Sequence, residues 1–308
     1  MSTLLLHHPS FIGHKTPEGH PERPDRIRVI DRVLEQEKFQ PLARDAAQLG
    51  TMEQAALAHG EAHVHDMRDA IPSEGMIFLD ADTSVSPGSW EAALRAVGGA
   101  CQAVDEVFQG RVSNVFSASR PPGHHAEKAR AMGFCLFNNA AVAARWAQKT
   151  YGAERVAIID FDVHHGNGTQ DIFWTDPSVM YCSTHQMPLY PGTGDWHETG
   201  AGNIVNVPLR EGDGGPEFRE AVDTAIFPRL IDFRPDFVII SAGFDAHVRD
   251  PLGGLRLVET DYAWVTAKLM EIADQTANGR LISILEGGYD LEGLSRSVAA
   301  HVSTLMTA

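Results

Sequence analysis

Arg155-Val-Ala-Ile-Ile-Asp-Phe-Asp-Val-His-His-Gly-Asn-Gly168 is the stretch on which the fold is read. Val156 to Ile159 form an apolar, β-branched run, the pattern of a strand buried on both faces. Asp160, Asp162 and His164 follow at alternate positions, so they share a face if the extended backbone continues. Two carboxylates and an imidazole are costly to bury unless a cation or hydrogen bonds compensate. A polar strand end with satisfied side chains is the plainer reading, and a metal site is the favoured one. Gly166 and Gly168 are expected to loosen the backbone and end the strand.

The same grammar recurs on both sides of this stretch. Strands are predicted at Thr3–His7, Asn114–Ala118, Val179–Ser183, Ile204–Val207, Phe237–Ser241 and Leu281–Leu285. Helices are predicted from about Asp25, from Ser89 as a cap to a stop at Gly110, and over Phe137–Tyr151, Phe218–Ile231, Thr260–Thr276 and Leu291–Leu305. Residues 40–88 read less clearly, with short helices near Glu53–Ala58 and His63–Ala70 and a turn-rich loop over Asp80–Gly88. Strands alternating with helices imply an α/β fold with a mostly parallel central sheet and helices on both faces. No linker interrupts the pattern, so residues 1–308 read as one domain.

Composition narrows the function classes. A net charge of −16 argues against nucleic acid as a partner. The three cysteines, Cys101, Cys135 and Cys182, form no C-x-x-C pair, which suits a reducing cytoplasm. Leu4-Leu5-Leu6 is too short for a signal core, and no run approaches membrane-spanning length, so neither secretion nor a membrane is expected.

In open parallel sheets, ligands sit beyond the carboxyl ends of the strands. The unusual polar residues here all follow strands: His124 and His125, then Asp160, Asp162 and His164, then Asp245, then Tyr289. Asp162, His164 and Asp245 would make a three-ligand metal site with positions open for water and substrate. Asp245 alone could equally be a helix cap or a turn residue. His124 and His125 suit general acid/base work near neutral pH. Asp160 could hold a histidine ring N–H, and Tyr289 could place a phenol on a developing oxyanion. Gly-Gly-Tyr by itself would be a turn with a packed aromatic.

Assembled in order, these residues resemble the histone deacetylase family of the arginase/deacetylase fold. The resemblance is carried by Gly19-His-Pro-Glu-Arg23, Arg120-Pro-Pro-Gly-His-His-Ala126, Gly133-Phe-Cys135, Asp160-Phe-Asp-Val-His-His-Gly166, Tyr190-Pro-Gly-Thr-Gly194, Ser241-Ala-Gly-Phe-Asp-Ala-His247 and Glu286-Gly-Gly-Tyr289. The wording is similar to class II members and to bacterial acetylpolyamine amidohydrolases and acetoin-utilisation proteins. The resemblance implies zinc on Asp162, His164 and Asp245, although two carboxylates and an imidazole also suit Fe²⁺. It implies His125 as general base and then acid, His124 as its electrostatic partner held by Asp160, and Tyr289 polarising the scissile carbonyl. Asn167 stands where class I members carry an aspartate, and it should leave His125 less basic. Gly133, Phe134 and Tyr190 match the substrate tunnel. A structural potassium ion is implied near Asp160, Asp162, His164, Ser183 and Thr184, and Arg26 matches an internal arginine.

The resulting expectation is a zinc amidohydrolase acting on ε-amino-acylated lysine, in a peptide, a protein or a small acylated amine. Acetylated polyamines are the alternative substrate. Leu252 stands where a polyamine-selective relative has an acidic gate, and the region from Asp66 to Asp80 is short, so lysine is preferred. An arginase-like binuclear manganese site is disfavoured, because Asp245-Ala-His247 offers no second bridging carboxylate. A non-catalytic acyl-lysine reader should have lost a ligand, a histidine or the tyrosine, and all are present. Homo-oligomers are possible.

Overall fold

The computed structural model describes residues 2–307. Its ten strands are β1 Thr3–His7, β2 Ala43–Ala46, β3 Ile77–Phe78, β4 Ser84–Val85, β5 Asn114–Ser117, β6 Val156–Asp160, β7 Val179–Gln186, β8 Ile204–Leu209, β9 Phe237–Ala242 and β10 Leu281–Leu285. Eight of them form one sheet in the order β2-β1-β5-β10-β9-β6-β7-β8. Every neighbouring pair in that sheet is parallel. Strands β3 and β4 form a separate antiparallel hairpin.

Ten α-helices surround the sheet: α1 Asp25–Leu34, α2 Met52–Ala55, α3 Glu61–Asp69, α4 Ser89–Phe108, α5 Asn139–Tyr151, α6 Asn167–Phe173, α7 Gly215–Ala221, α8 Phe227–Phe233, α9 Glu259–Thr276 and α10 Leu291–Leu305. The period-two alternation of the strands sorts the apolar side chains into two cores. Ala157, Ile159, Val238 and Ile240 pack with Ile27 of α1, Val265 of α9 and Val298 of α10. Val156, Ile158, Phe237 and Ile239 pack with Val97 of α4 and Ala143 of α5 on the opposite face. Alanines along α5 keep its packing face thin. Asn138 caps its start by accepting the Ala141 N–H at 2.9 Å, and Gly152 ends it at φ 68°.

Several local readings change. Ser89 does not cap α4. Gly88 occupies the cap position, and the Ser89 hydroxyl accepts the Ser86 N–H at 2.8 Å. The helix expected over Phe218–Ile231 is α7 and α8 joined by a π turn at Val222–Ile226, next to Pro228, which has no N–H to give the helix. Asp80–Gly88 contains strand β4. Gly166 and Gly168 do not terminate the central strand, which already ends at Asp160, because Gly168 lies within α6. A Cβ at Gly168 would sit 2.2 Å from the Ala126 carbonyl oxygen, so this glycine permits a close approach.

Strands β5, β10, β9 and β6 are consecutive in the sheet. Their carboxyl ends and the loops that follow carry His124–His125, Tyr289, Asp245 and Asp160–His164, so parallel topology alone gathers these residues along one stretch of edge.

Candidate active site

The extended backbone does not continue past Asp160. Residues Asp162 to His164 form a bend, so strand alternation is not what brings the acidic side chains together. The Asp160 carboxylate accepts the Asp162 N–H at 3.1 Å, and the Asp162 carboxylate accepts the His164 N–H at 2.9 Å. Each aspartate thus folds the chain two residues ahead of itself, as an Asx turn does. The outcome is the convergence that alternation would have produced.

Asp162, His164 and Asp245 are buried, and one ligand atom of each lies within 4.8 Å of the others. His164 Nδ1 is 3.1 Å from Asp162 Oδ1 and 3.1 Å from Asp245 Oδ2. One ring nitrogen carries at most one proton, so it cannot donate to both carboxylates at once. Burial and the Asp162 charge push the Asp245 carboxyl up to about 7, with His164 working the other way. The chain crowds in closely around them. A Cβ at Gly243 would sit 2.1 Å from Asp162 Oδ2, and one at Gly287 would sit 2.2 Å from Asp245 Oδ2. The remaining lone pairs are oriented by backbone donors: Gly287 N–H to Asp162 Oδ2 at 2.8 Å, and Val163 N–H to Asp245 Oδ1 at 2.8 Å. This donor-poor set of two carboxylates and an imidazole fits a divalent cation.

His124 and His125 lie beside it, with ring centroids 4.0 Å apart and planes tilted by 43°. His124 Nδ1 is 2.9 Å from Asp160 Oδ2, which also accepts the Tyr181 hydroxyl at 3.0 Å. Burial opposes charge on His124, but the Asp162 and Asp160 carboxylates outweigh it and raise its pKa well above the usual imidazole value. His125 shifts the other way, under burial and the fields of His124 and His164. Its Nδ1 lies 2.8 Å from Asn167 Oδ1. An amide oxygen only accepts, so Nδ1 carries the proton and Nε2 keeps a lone pair.

Glu286 fixes this loop from β10. Its Oε2 accepts the Gly123 N–H at 2.7 Å and the His124 N–H at 3.1 Å. Three residues on, the Tyr289 N–H donates to Asp250 Oδ2 at 2.7 Å, and the Arg26 guanidinium lies 5.0 Å from the Tyr289 ring centroid.

Residues 20–305 match the family described as histone deacetylase domain. The chain is 39% identical over 317 residues to histone deacetylase 10, chloroplastic, of Oryza sativa, covering 94% of this chain and 70% of that one. It is 38% identical over 300 residues to a probable deacetylase of Archaeoglobus fulgidus, covering 95% and 83%. The crystal structure of the HDA15 HD domain superposes with a TM-score of 0.94 at 39% identity, covering 99% of this chain and 88% of that one. The chain belongs to the histone deacetylase family.

A histone deacetylase-family chain is a hydrolase of the deacetylase type, and two aromatic rings, those of Tyr190 and Phe134, lie along the edge beside His125 and Tyr289. The Tyr190 ring stands 5.1 Å from His125 and 6.3 Å from His164, centroid to centroid, and is 39% exposed. The Phe134 ring meets Tyr289 edge-on at 5.8 Å. Phe134 adopts φ 68°, and a Cβ at Gly133 would sit 2.5 Å from the His125 ring. Leu252 is half-buried, and its N–H is held by Asp250 at 3.0 Å. Asp160 and Ser183 are paired across β6 and β7, with Thr184 next along the strand and also buried.

Sequence reading gave no role to four of the residues that hold this site: Glu286, quoted only as part of a motif, Tyr181, Asp250 and Glu127, whose carboxylate accepts from the Asn167 amide at 2.8 Å. Each is tied to its target across long chain separation, which no local pattern reports. Among the described residues, no helix is long and apolar enough to cross a membrane.

Proposed function

We propose that the chain is a metal-dependent amidohydrolase that removes acyl groups from the ε-amino group of lysine. The observation that carries it is the meeting of the donor-poor triad Asp162, His164 and Asp245 with a histidine whose Nδ1 is already committed to Asn167. Zinc, or ferrous iron, held by the triad supplies Lewis acidity, which polarises an acyl carbonyl and acidifies water. His125 Nε2 takes the proton of the attacking water and then hands it to the departing amine. His124, kept cationic by Asp160 and Asp162, adds positive charge beside the reacting carbonyl. The Tyr289 hydroxyl donates to the developing oxyanion, while Asp250 fixes its backbone. Phe134 and Tyr190, with Gly133 letting the wall approach His125, flank the apolar stem of the lysine. A structural potassium ion on Asp160, Asp162, His164, Ser183 and Thr184 would brace the loop after β6. The three free, buried cysteines suit a reducing compartment such as the cytoplasm.

Lysine is favoured over polyamine by Asp250. Its carboxylate already accepts from the Tyr289, Asp290 and Leu252 N–H groups, and Leu252 carries no charge for a second ammonium. One observation favours acetylated polyamines: the Thr83 hydroxyl accepts the Phe134 N–H at 3.0 Å and donates to Asp82 Oδ1 at 3.0 Å, so a carboxylate stands behind the Phe134 wall. The deciding experiment measures kcat/KM for an acetyl-lysine peptide, acetylputrescine and acetylspermidine. The peptide is expected to be best; a clear advantage for either polyamine overturns the lysine assignment.

A further inference from the structure

A primary amide is nearly symmetric in shape but opposite in its two hydrogen-bonding ends. The Asn167 side chain therefore has two ways to face His125. With Oδ1 forward, His125 must protonate Nδ1 and Nε2 is free to act as a base. With Nδ2 forward, His125 must offer a lone pair at Nδ1, the proton moves to Nε2, and the base is lost. Asn167 is buried and sits at the first turn of α6, where Gly168 and Thr169 donate to the His124 carbonyl at 3.0 and 3.2 Å. Backbone packing thus fixes where the amide is, and says nothing about which way it faces.

What settles its direction lies behind it. Asn167 Nδ2 donates to Glu127 Oε1 at 2.8 Å and approaches Met132 Sδ at 3.3 Å. A carboxylate only accepts, and a thioether is a weak acceptor, so both amide protons have partners in this orientation. Turning the amide would set its carbonyl oxygen against the Glu127 carboxylate. Glu127 is itself clamped: its N–H donates to the Arg130 carbonyl at 2.9 Å, and His59 Nδ1 lies 3.0 Å from its carbonyl. The carboxylate is two residues from His125 in sequence, yet reaches it only through Asn167.

We infer that Glu127 is a positioning residue that locks the Asn167 amide and thereby selects the base-competent tautomer of His125. The inference deepens the proposed reaction, since it assigns the control of its proton-transfer group. Loss of such an outer partner costs about tenfold to a hundredfold in activity. Glu127→Ala should lower kcat by about tenfold with KM little changed. Glu127→Gln can still turn an amide oxygen toward Asn167 and should retain most activity. Asn167→Asp supplies oxygens on both faces and needs no lock, but it sets a carboxylate against Glu127. Adding Glu127→Ala to Asn167→Asp should therefore raise activity above that of Asn167→Asp alone.

The experiment reads the tautomer directly. Long-range ¹H–¹⁵N correlation on the zinc-loaded full chain, with ¹⁵N-histidine and His125 assigned by its substitution, should show Nδ1–H in the parent and in Glu127→Gln. Glu127→Ala should show a mixture or Nε2–H, and the double variant should return to Nδ1–H. An unchanged tautomer in Glu127→Ala overturns the inference, as do losses that simply multiply in the double variant. Tautomer state needs no turnover, so a parent protein that hydrolyses no acyl-lysine defeats the proposed function and leaves this inference to be decided by the spectra.

Discussion

Two buried clusters of charge flank the loop after β10, and they are balanced in opposite ways. In the first, Glu22 lies between Arg26 and Arg120, and all three side chains are fully buried. Glu22 Oε1 is 3.1 Å from Arg26 Nη1, and Oε2 is 2.6 Å from Arg120 Nη2. The spare guanidinium donors reach the Phe11 carbonyl at 2.6 Å and the Gly288 carbonyl at 2.7 Å. Burial alone would raise the Glu22 carboxyl, but Arg120, His14 and Arg26 hold it down to about 2. In the second cluster, Asp162 and Asp245 share one imidazole, and Asp245 is pushed up to about 7. The first cluster brings its own cations and completes its hydrogen bonds; the second has acceptors in excess. Burial of charge therefore does not by itself mark a site. An uncompensated acceptor excess does.

The largest effect should come from the incomplete cluster. Asp162→Ala is expected to abolish measurable deacylation, a loss of about a thousandfold or more, while leaving the urea midpoint of the metal-free protein close to the parent's. A metal-free midpoint that collapses would make the two clusters alike.

The complete cluster should behave in reverse. Glu22→Gln leaves two guanidiniums facing a neutral group and should cost about 3–5 kcal/mol of stability by denaturant titration. Because the folded pKa of Glu22 lies below the ordinary 4.5, its stabilisation is present above that value and drains away as pH falls toward about 2. The stability gap between parent and variant should accordingly narrow across that window. A gap constant from pH 5 to pH 2 would break the assignment.

Tyr289→Phe separates chemistry from metal binding. It should lower kcat by about a hundredfold, as loss of one oxyanion donor does, with metal content unchanged. Near-parental kcat would remove Tyr289 from the reaction. The smallest expected effect is on specificity: Leu252→Glu should raise kcat/KM for acetylspermidine about tenfold relative to the lysine peptide. No change in that ratio would show that Leu252 does not face the substrate.

The strands and helices that carry the site were legible because their signals are local. Val156–Asp160, Phe237–Ala242 and Leu281–Leu285 are buried along their whole length and read as apolar runs, interrupted only by Ser241, Ser283 and the terminal Asp160. Strand β2 was not legible. It is an edge strand, Ala-Arg-Asp-Ala, partly or fully exposed along its length and paired only to β1, so its charges hide it. Helix α6 was masked by Gly166 just before it and Gly168 inside its first turn, whose role is close approach. Site residues were visible where chemistry clusters in sequence, as in Asp160–His164. Their supports were not: Glu22 meets Arg120 across 98 positions, and Glu286 meets Gly123 across 163. Asp162 and His164 do come together, but by a geometry that strand alternation did not foresee: Asx turns after β6 achieve what extension would have done.

The central claim is that the acceptor excess at Asp162, His164 and Asp245 is answered by one divalent cation. Elemental analysis of the purified parent beside Asp245→Asn tests it, since the substitution keeps the side-chain shape and removes one charge. About one equivalent of zinc or iron per chain in the parent, falling well below that in Asp245→Asn, is the predicted result. Equal metal content in the two proteins, or none in a deacylating parent, would contradict it.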